Sequence, residues 1–111
     1  MSTLRNKVQL IGNVGREPEI VNLESGKKIA KFPIATNDYY KNGSGEKITD
    51  TQWHNIVAWG KTAELVEKYV TKGKEVGIEG KLTNRSWDDK EGKKHFMTEV
   101  VCNELLLMGN K

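Results

Sequence analysis

The element order β-β-β-α-β-β, one short helix between strands three and four, and glycines lying inside strands at Gly12 and Gly80 predict an all-β fold, a five-stranded OB-fold Greek-key barrel. Glycines within strands supply the sharp bends that a tightly coiled small barrel needs at its corners. An SH3-like barrel lacks the helix, and an immunoglobulin sandwich needs more strands. The 111 residues suit a single domain, 1–111, and leave no room for a second core.

Each element has its own signal. In residues 7–14, Val8, Leu10 and Val14 alternate with Lys7, Gln9 and Asn13, so the even positions face inward with Gly12 among them. Residues 15–19 read as a turn. A second β region covers 20–23 and 29–36, interrupted by Ser25-Gly26-Lys27-Lys28, with Ala30, Phe32 and Ile34 on one face. Pro33 has no N–H to give to a ladder, which places an edge or bulge at that point. Residues 39–47 are polar and glycine-rich and read as a mobile loop. Residues 62–70 have helical character, with Leu65, Val66, Tyr69 and Val70 as the apolar stripe and Gly73 as the stop. Strand four, 75–87, points Val76, Ile78 and Leu82 inward and Arg85 and Trp87 outward. A charged loop at 88–94 joins it to strand five, from about residue 95 to 103.

The bulk numbers exclude more than they identify. With 36% hydrophobic and 30% charged residues the chain reads as globular rather than disordered. No apolar run approaches the roughly 20 residues of a membrane span, and residues 1–7 lack a signal-peptide pattern. The lone Cys102 excludes an internal disulfide and fits a reducing, cytoplasmic compartment. Lys and Arg exceed Asp and Glu by 18 − 15 = 3, which permits an anionic partner without demanding one.

The most informative stretch is the third strand, Gln52-Trp53-His54-Asn55-Ile56-Val57-Ala58-Trp59. Strand alternation puts Trp53, Asn55, Val57 and Trp59 on one face and His54, Ile56 and Ala58 on the other. A core can be built from the second face alone, which leaves two indoles on the first. Two readings are equally open from this strand: a platform on which flat ligands stack, or the second buried face of a sandwich. Adding Trp87 from strand four and Tyr40 from the adjoining loop gives four aromatics, with Arg5, Lys7, Lys61, Lys72 and Arg85 as cations around them. Unpaired nucleic acid offers bare base faces and a repeating phosphate charge, so it calls for that mixture. Each base stacked on an aromatic ring contributes roughly 1–3 kcal/mol whatever the base. A duplex does not need such platforms, because its bases already stack on one another.

The segments Asn6-Lys7-Val8-Gln9-Leu10-Ile11-Gly12-Asn13-Val14-Gly15, Pro18-Glu19, Ala35-Thr36, Trp53-His54, Trp59-Gly60-Lys61-Thr62-Ala63-Glu64, Lys72-Gly73, Glu79-Gly80-Lys81-Leu82, Arg85-Ser86-Trp87 and Thr98-Glu99-Val100 together resemble bacterial single-stranded DNA-binding proteins. The match runs in order over nearly the whole chain and is specific as a set. The resemblance implies an OB fold, no catalysis, no cofactor, cooperative binding of single-stranded DNA in replication, recombination and repair, and a homotetramer. It implies base stacking at Tyr40, Trp53, Trp59 and Trp87, phosphate contacts at Lys7, Lys61, Lys72 and Arg85, and a subunit contact at His54. Trp59 stands where phenylalanine is frequent, which keeps the platform. Tyr40 stands where tryptophan is common, which weakens stacking there. Asn55 stands where a basic residue is frequent, which removes a phosphate contact. Members of the family usually continue into a flexible tail with an acidic tip that recruits replication and repair proteins. The sequence ends at Asn110-Lys111, so tail-mediated recruitment is not expected of it.

Other groupings have plainer explanations. His54, His95 and Cys102 follow no zinc spacing, so no metal is expected. Cys102 lies in an apolar strand without a base beside it in sequence, which argues against a nucleophile. Gly12 and Gly15 make no dinucleotide fingerprint, because no helix follows them. Two alternatives to the main reading are a primosomal-type OB accessory factor acting mainly in protein interaction, and an RNA-binding OB domain. The cytoplasm, in association with the nucleoid, is the expected location.

Overall fold

The computed structural model describes residues 5–108. The two chain ends read above, 1–4 and 109–111, lie outside the described residues. Alternating apolar and polar residues make β1 (Val8–Val14), which turns Val8, Leu10 and Val14 to the core. β2 (Glu19–Asn22) and β3 (Lys28–Lys41) form a hairpin where the sequence suggested one broken strand. β4 (Lys47–Trp59) follows, then α1 (Gly60–Tyr69), β5 (Glu75–Asp88) and β6 (Lys94–Leu107).

Five of these strands close a ring in the order β1-β5-β6-β4-β3, and β1 returns to β3 through Asn13 opposite Ala35 and Val14 opposite Ile34. This is the expected five-stranded barrel. β2 hangs on the outer edge of β3, and β4 runs parallel to β6 from Ile56–Val100 to Ala58–Cys102. Pro33 fits its place for a simple reason. Its carbonyl accepts from the Gly15 N–H, so its donor-less nitrogen also points toward the β1–β2 side, in the gap where β2 has ended and β1 begins.

The core is Val14, Ala30, Phe32, Ile34, Ile56, Ala58, Val76, Ile78, Val100 and Cys102 from the strands, with Ala63, Val66 and Val70 from the helix. The expected helix stripe is therefore half right. Val66 and Val70 are buried, whereas Leu65 and Tyr69 face solvent, because α1 touches the barrel along the i, i+3, i+7 line that begins at Ala63. A Lys28–Glu67 ion pair ties the exposed side of the helix to β3.

Leu82 also departs from expectation, being exposed at 47%. The ring ends at Gly80, where the β5–β6 register shifts by one residue. A Cβ at Gly80 would run into the Val101 carbonyl oxygen, so only glycine lets the strands approach so closely. Beyond this point β5 has no β1 beside it, which uncovers Leu82, while β6 stays paired to β4 through Val100; past that pair the two strands run on as a two-stranded arm. Asn6 covers the exit by exchanging two hydrogen bonds with the Leu82 backbone, at 2.8 and 3.0 Å.

The residues read as a mobile loop form a second arm. β3 and β4 pair without interruption from Ile29–Trp59 to Lys41–Lys47. Asn42 organises its tip: the side-chain oxygen accepts from the Ser44 and Glu46 amides, and Gly45 takes the positive φ of 85° that the turn requires. Asp89 and Gly92 repeat the device at the other tip. The two arms raise the radius of gyration to 16.3 Å, against roughly 13 Å for a compact chain of this length.

Two outcomes test this description. Gly80→Ala should lower stability by about 1–3 kcal/mol through overpacking, whereas Gly43→Ala, with open space around it, should stay within about 0.5 kcal/mol. Urea unfolding midpoints report both. Cys102 is buried, its thiol is pushed up to about 11 by desolvation, and it donates to the Glu104 carbonyl at 3.1 Å. A thiol reagent at pH 8 should label it only after denaturation; rapid labelling of the native protein would contradict its burial.

Candidate nucleic-acid interface

The core of β4 is built from Ile56 and Ala58, both buried, so the opposite face of the strand is released for other use. Trp53 and Trp59 stand on that face, 61% and 48% exposed. They stand six positions apart, roughly 20 Å along an extended strand. Between them Asn55 is exposed and Val57 is covered. The second buried sandwich face, one of the two open readings, does not form.

Trp53 rests on a seat that sequence reasoning missed. A Cβ at Gly15 would lie 2.5 Å from one ring carbon of Trp53 and 2.9 Å from another, so the missing side chain is the space that the indole occupies. The signal was present, since Gly15 follows the inward Val14 and opens the turn beside Pro33. Lys72 belongs to the same corner. Its amide donates to Glu17 Oε2 at 3.1 Å, and the neighbouring Gly73 amide donates to the Val14 carbonyl.

Across β6 from β4, the outward face of β5 carries Arg85 and Trp87. Trp87 stacks on His95 with ring centres 5.6 Å apart and an angle of 21°, and the Arg85 guanidinium lies 5.6 Å from the Trp87 ring. Trp87 remains 44% exposed. Arg85 also bonds Glu99 at 3.2 Å. His95 bonds Asp89 at 2.8 Å; that bond first, and the Lys93 amide second, hold the Asp89 carboxyl below its ordinary range. One depression, lined by Val57, Trp59, Thr83, Arg85 and Glu99, joins the two tryptophan-bearing strands. A second, between Asn55, Arg85 and Glu99, adds Arg16, and Lys31 lines both; the sequence reading left out these two cations. Lys31 shared the parity of the outward set and lies opposite Val57, which was the available clue.

The remaining candidates are more scattered. Lys61 follows Trp59 directly, in the first turn of α1, and is exposed. Lys7 is paired with Glu79 at 3.3 Å on the β1–β5 side, and Arg5 lies in the exposed turn before β1. Tyr40 is exposed on the β3–β4 arm, opposite Ile48 and on the reverse face from Trp53. His54 also lies on that reverse face, half-buried, with Nε2 2.9 Å from Thr36 Oγ1. Among the described residues no three His, Cys, Asp or Glu side chains gather as metal ligands, and no helix is long and apolar enough to cross a membrane.

Comparison with known proteins gives this face a context. The model of the single-strand binding protein family matches residues 5–108. The chain belongs to that family. Among its relatives, "Single-stranded DNA-binding protein 1" of Chlorobaculum tepidum is 46% identical over 96% of this chain and 66% of its own length. The Bacteroides thetaiotaomicron single-stranded DNA-binding protein is 42% identical over 96% of the chain and 67% of its own length. The chain thus spans about two thirds of the length of these relatives. A solved structure described as a Plasmodium falciparum SSB complex with ssDNA superposes with a TM-score of 0.87 at 33% identity, covering 98% of this chain and 99% of that one.

Gly15→Ala tests the seat of Trp53. The added methyl should push the indole aside and shift its fluorescence maximum while leaving the circular dichroism of the barrel unchanged. An unaltered spectrum would show that the ring does not rest there.

Proposed function

We propose that this protein binds single-stranded DNA without regard to sequence and protects unwound strands in replication, recombination and repair. The observation that carries the proposal is that all three tryptophans lie outside the barrel, on the face opposite the core, with Arg85 at the Trp87 ring and Lys31 and Arg85 lining the depression at Trp59. Such rings are an unfavourable way to meet water unless flat ligands cover them. As a binding protein of this family it is not an enzyme.

Bases stack on Trp53, Trp59 and Trp87, and the resemblance adds Tyr40 from the reverse face of its arm. Phosphates are met by Arg85, Lys61 and Lys72 near these rings, and by Lys7 and Arg5 where the strand passes β1. Four copies assemble, with His54 at a subunit contact. Exposed Ile11 and Leu106, which line an apolar groove on the outer side of β1, β5 and β6, give a second copy something to bury. Partners other than DNA include replication and repair proteins, and the location is the cytoplasm, with the nucleoid.

Titration with oligo-dT should quench tryptophan fluorescence, and the affinity should fall as salt rises. Trp53→Ala and Trp87→Ala should each weaken binding by about five- to a hundredfold, the equivalent of one lost stack, without unfolding the barrel. Unchanged fluorescence at low salt with excess oligo-dT would defeat the proposal. Sedimentation velocity reports the assembly: a tetramer agrees with it, and a dimer points to the accessory-factor alternative.

A further inference from the structure

We propose that Tyr39 and Lys47, on the β3–β4 arm, form an additional subsite for single-stranded DNA that continues the line from Trp59 through Trp53. The inference rests on the binding function proposed above and adds residues that neither the resemblance nor the sequence reading singled out.

Register carries it. β3 and β4 pair without a bulge along the arm, so odd-numbered residues share one face from the barrel to the tip. Trp53 lies opposite Ala35, Thr51 opposite Asn37, and Thr49 opposite Tyr39. Tyr39 therefore emerges on the face of Trp53, four residues farther along β3, roughly 13 Å away. Its ring is 59% exposed although no buried contact requires an aromatic there. The ground between is uncharged and short: Thr51 donates to Asn37 Oδ1 at 2.6 Å, which leaves a flat floor without a bulky obstacle.

Chemistry supports the register. The Lys47 ammonium lies 4.6 Å from the centre of the Tyr39 ring. This repeats on one arm what Arg85 and Trp87 do on the other: an exposed ring with a cation beside it, one for the base and one for the phosphate. The two arms are built by different hairpins, so the repetition is not a by-product of a single local sequence. Each ring–cation pair lies within a few residues of a tip fixed by an Asx turn, which holds the strands in register where fraying would otherwise begin.

Oligo-dT binding to the full chain and its variants, followed by tryptophan quenching, tests the subsite, since no tryptophan is altered. Tyr39→Ala should weaken binding by about five- to a hundredfold and Tyr39→Phe should restore it, because the ring face and not the hydroxyl stacks. Lys47→Ala should reduce the slope of log affinity against log salt by about 0.7, the loss of one phosphate contact to a single strand. Tyr69→Ala serves as the control, because Tyr69 also has a lysine near its ring, Lys68 at 5.5 Å, but lies on the helix. Its affinity should stay within twofold of the parent. If Tyr39→Ala binds within twofold of the parent while Trp53→Ala is impaired, the subsite is wrong and the binding function stands. An equal loss in Tyr69→Ala overturns the subsite as well. If the parent itself does not bind oligo-dT, the underlying function fails first.

Discussion

The two-sidedness of an extended chain is the constraint on which the rest of this structure depends. Every strand residue in the core cluster has an even number: Val14 in β1, Ala30, Phe32 and Ile34 in β3, Ile56 and Ala58 in β4, Val76 and Ile78 in β5, Val100 and Cys102 in β6. The ring is thus filled from one parity, and the other is committed to the outside before any ligand is considered. Trp53, Trp59, Arg85 and Trp87 all have odd numbers. A slip of one residue in β4 that carried Trp59 into the place of Ala58 would put an indole where the barrel holds a single methyl. Packing thereby enforces the exposure of the rings. Where the parity does change, at the register shift beside Gly80, the odd Leu105 turns to the core.

That shift also explains the arms. While β5 and β6 belong to the ring, their inner face packs on the core. Past the Leu82–Val100 pair they are hydrogen-bonded only to each other, and such a ribbon has little stability of its own. Its order comes from cross-strand pairs, Trp87 on His95 and Arg85 on Glu99, and from the Asp89 turn. The same side chains that steady the ribbon are those proposed to meet a nucleic acid. Local order and ligand recognition therefore draw on one set of contacts. Extra stability in the arms would come at the expense of free ring surface.

Most of the barrel was legible because alternation is a strong signal wherever one face is buried. β1 and the grouping of Trp53 with Trp59 on one face of β4 follow from it, although which face is buried does not, and α1 is announced by its own apolar stripe. The misreadings occur where burial stops enforcing the pattern. Tyr39-Tyr40-Lys41 and Lys47-Ile48-Thr49 look like loop because neither face of the arm meets a core, and the pairing between them is nonlocal. Leu82 looked buried because its parity is right, but the ring it should face ends two residues earlier. In α1 the eye is drawn to Leu65 and Tyr69, whereas the contact needs small residues and takes Ala63. Gly15 escaped as a site residue for a different reason. Its contribution is an absence, visible only once the Trp53 ring is seen lying where its side chain would be.

The balance between stacking and charge follows from how the cations are already occupied. The excess of positive charge is only +3, and Lys7 and Arg85 each hold a carboxylate, Glu79 and Glu99, at 3.3 and 3.2 Å. The Lys7 pair is exposed on both sides, where an ion pair contributes about 0–1 kcal/mol and is screened by salt, whereas in the Arg85 pair the Glu99 carboxylate is largely covered. A phosphate arriving at Arg85 therefore exchanges one anion for another and gains little beyond the release of its own counterions. Base stacking on Trp53 and Trp59, at about 1–3 kcal/mol for each ring, competes with water, and only Trp87 already has one face against His95. In the proposed mode of binding, rings therefore supply most of the binding energy, and cations mainly set where the strand lies. In that mode Arg85 would serve both ends: its guanidinium is held between Glu99 and the Trp87 ring, so a phosphate reaching it would lie beside a base stacked on that indole.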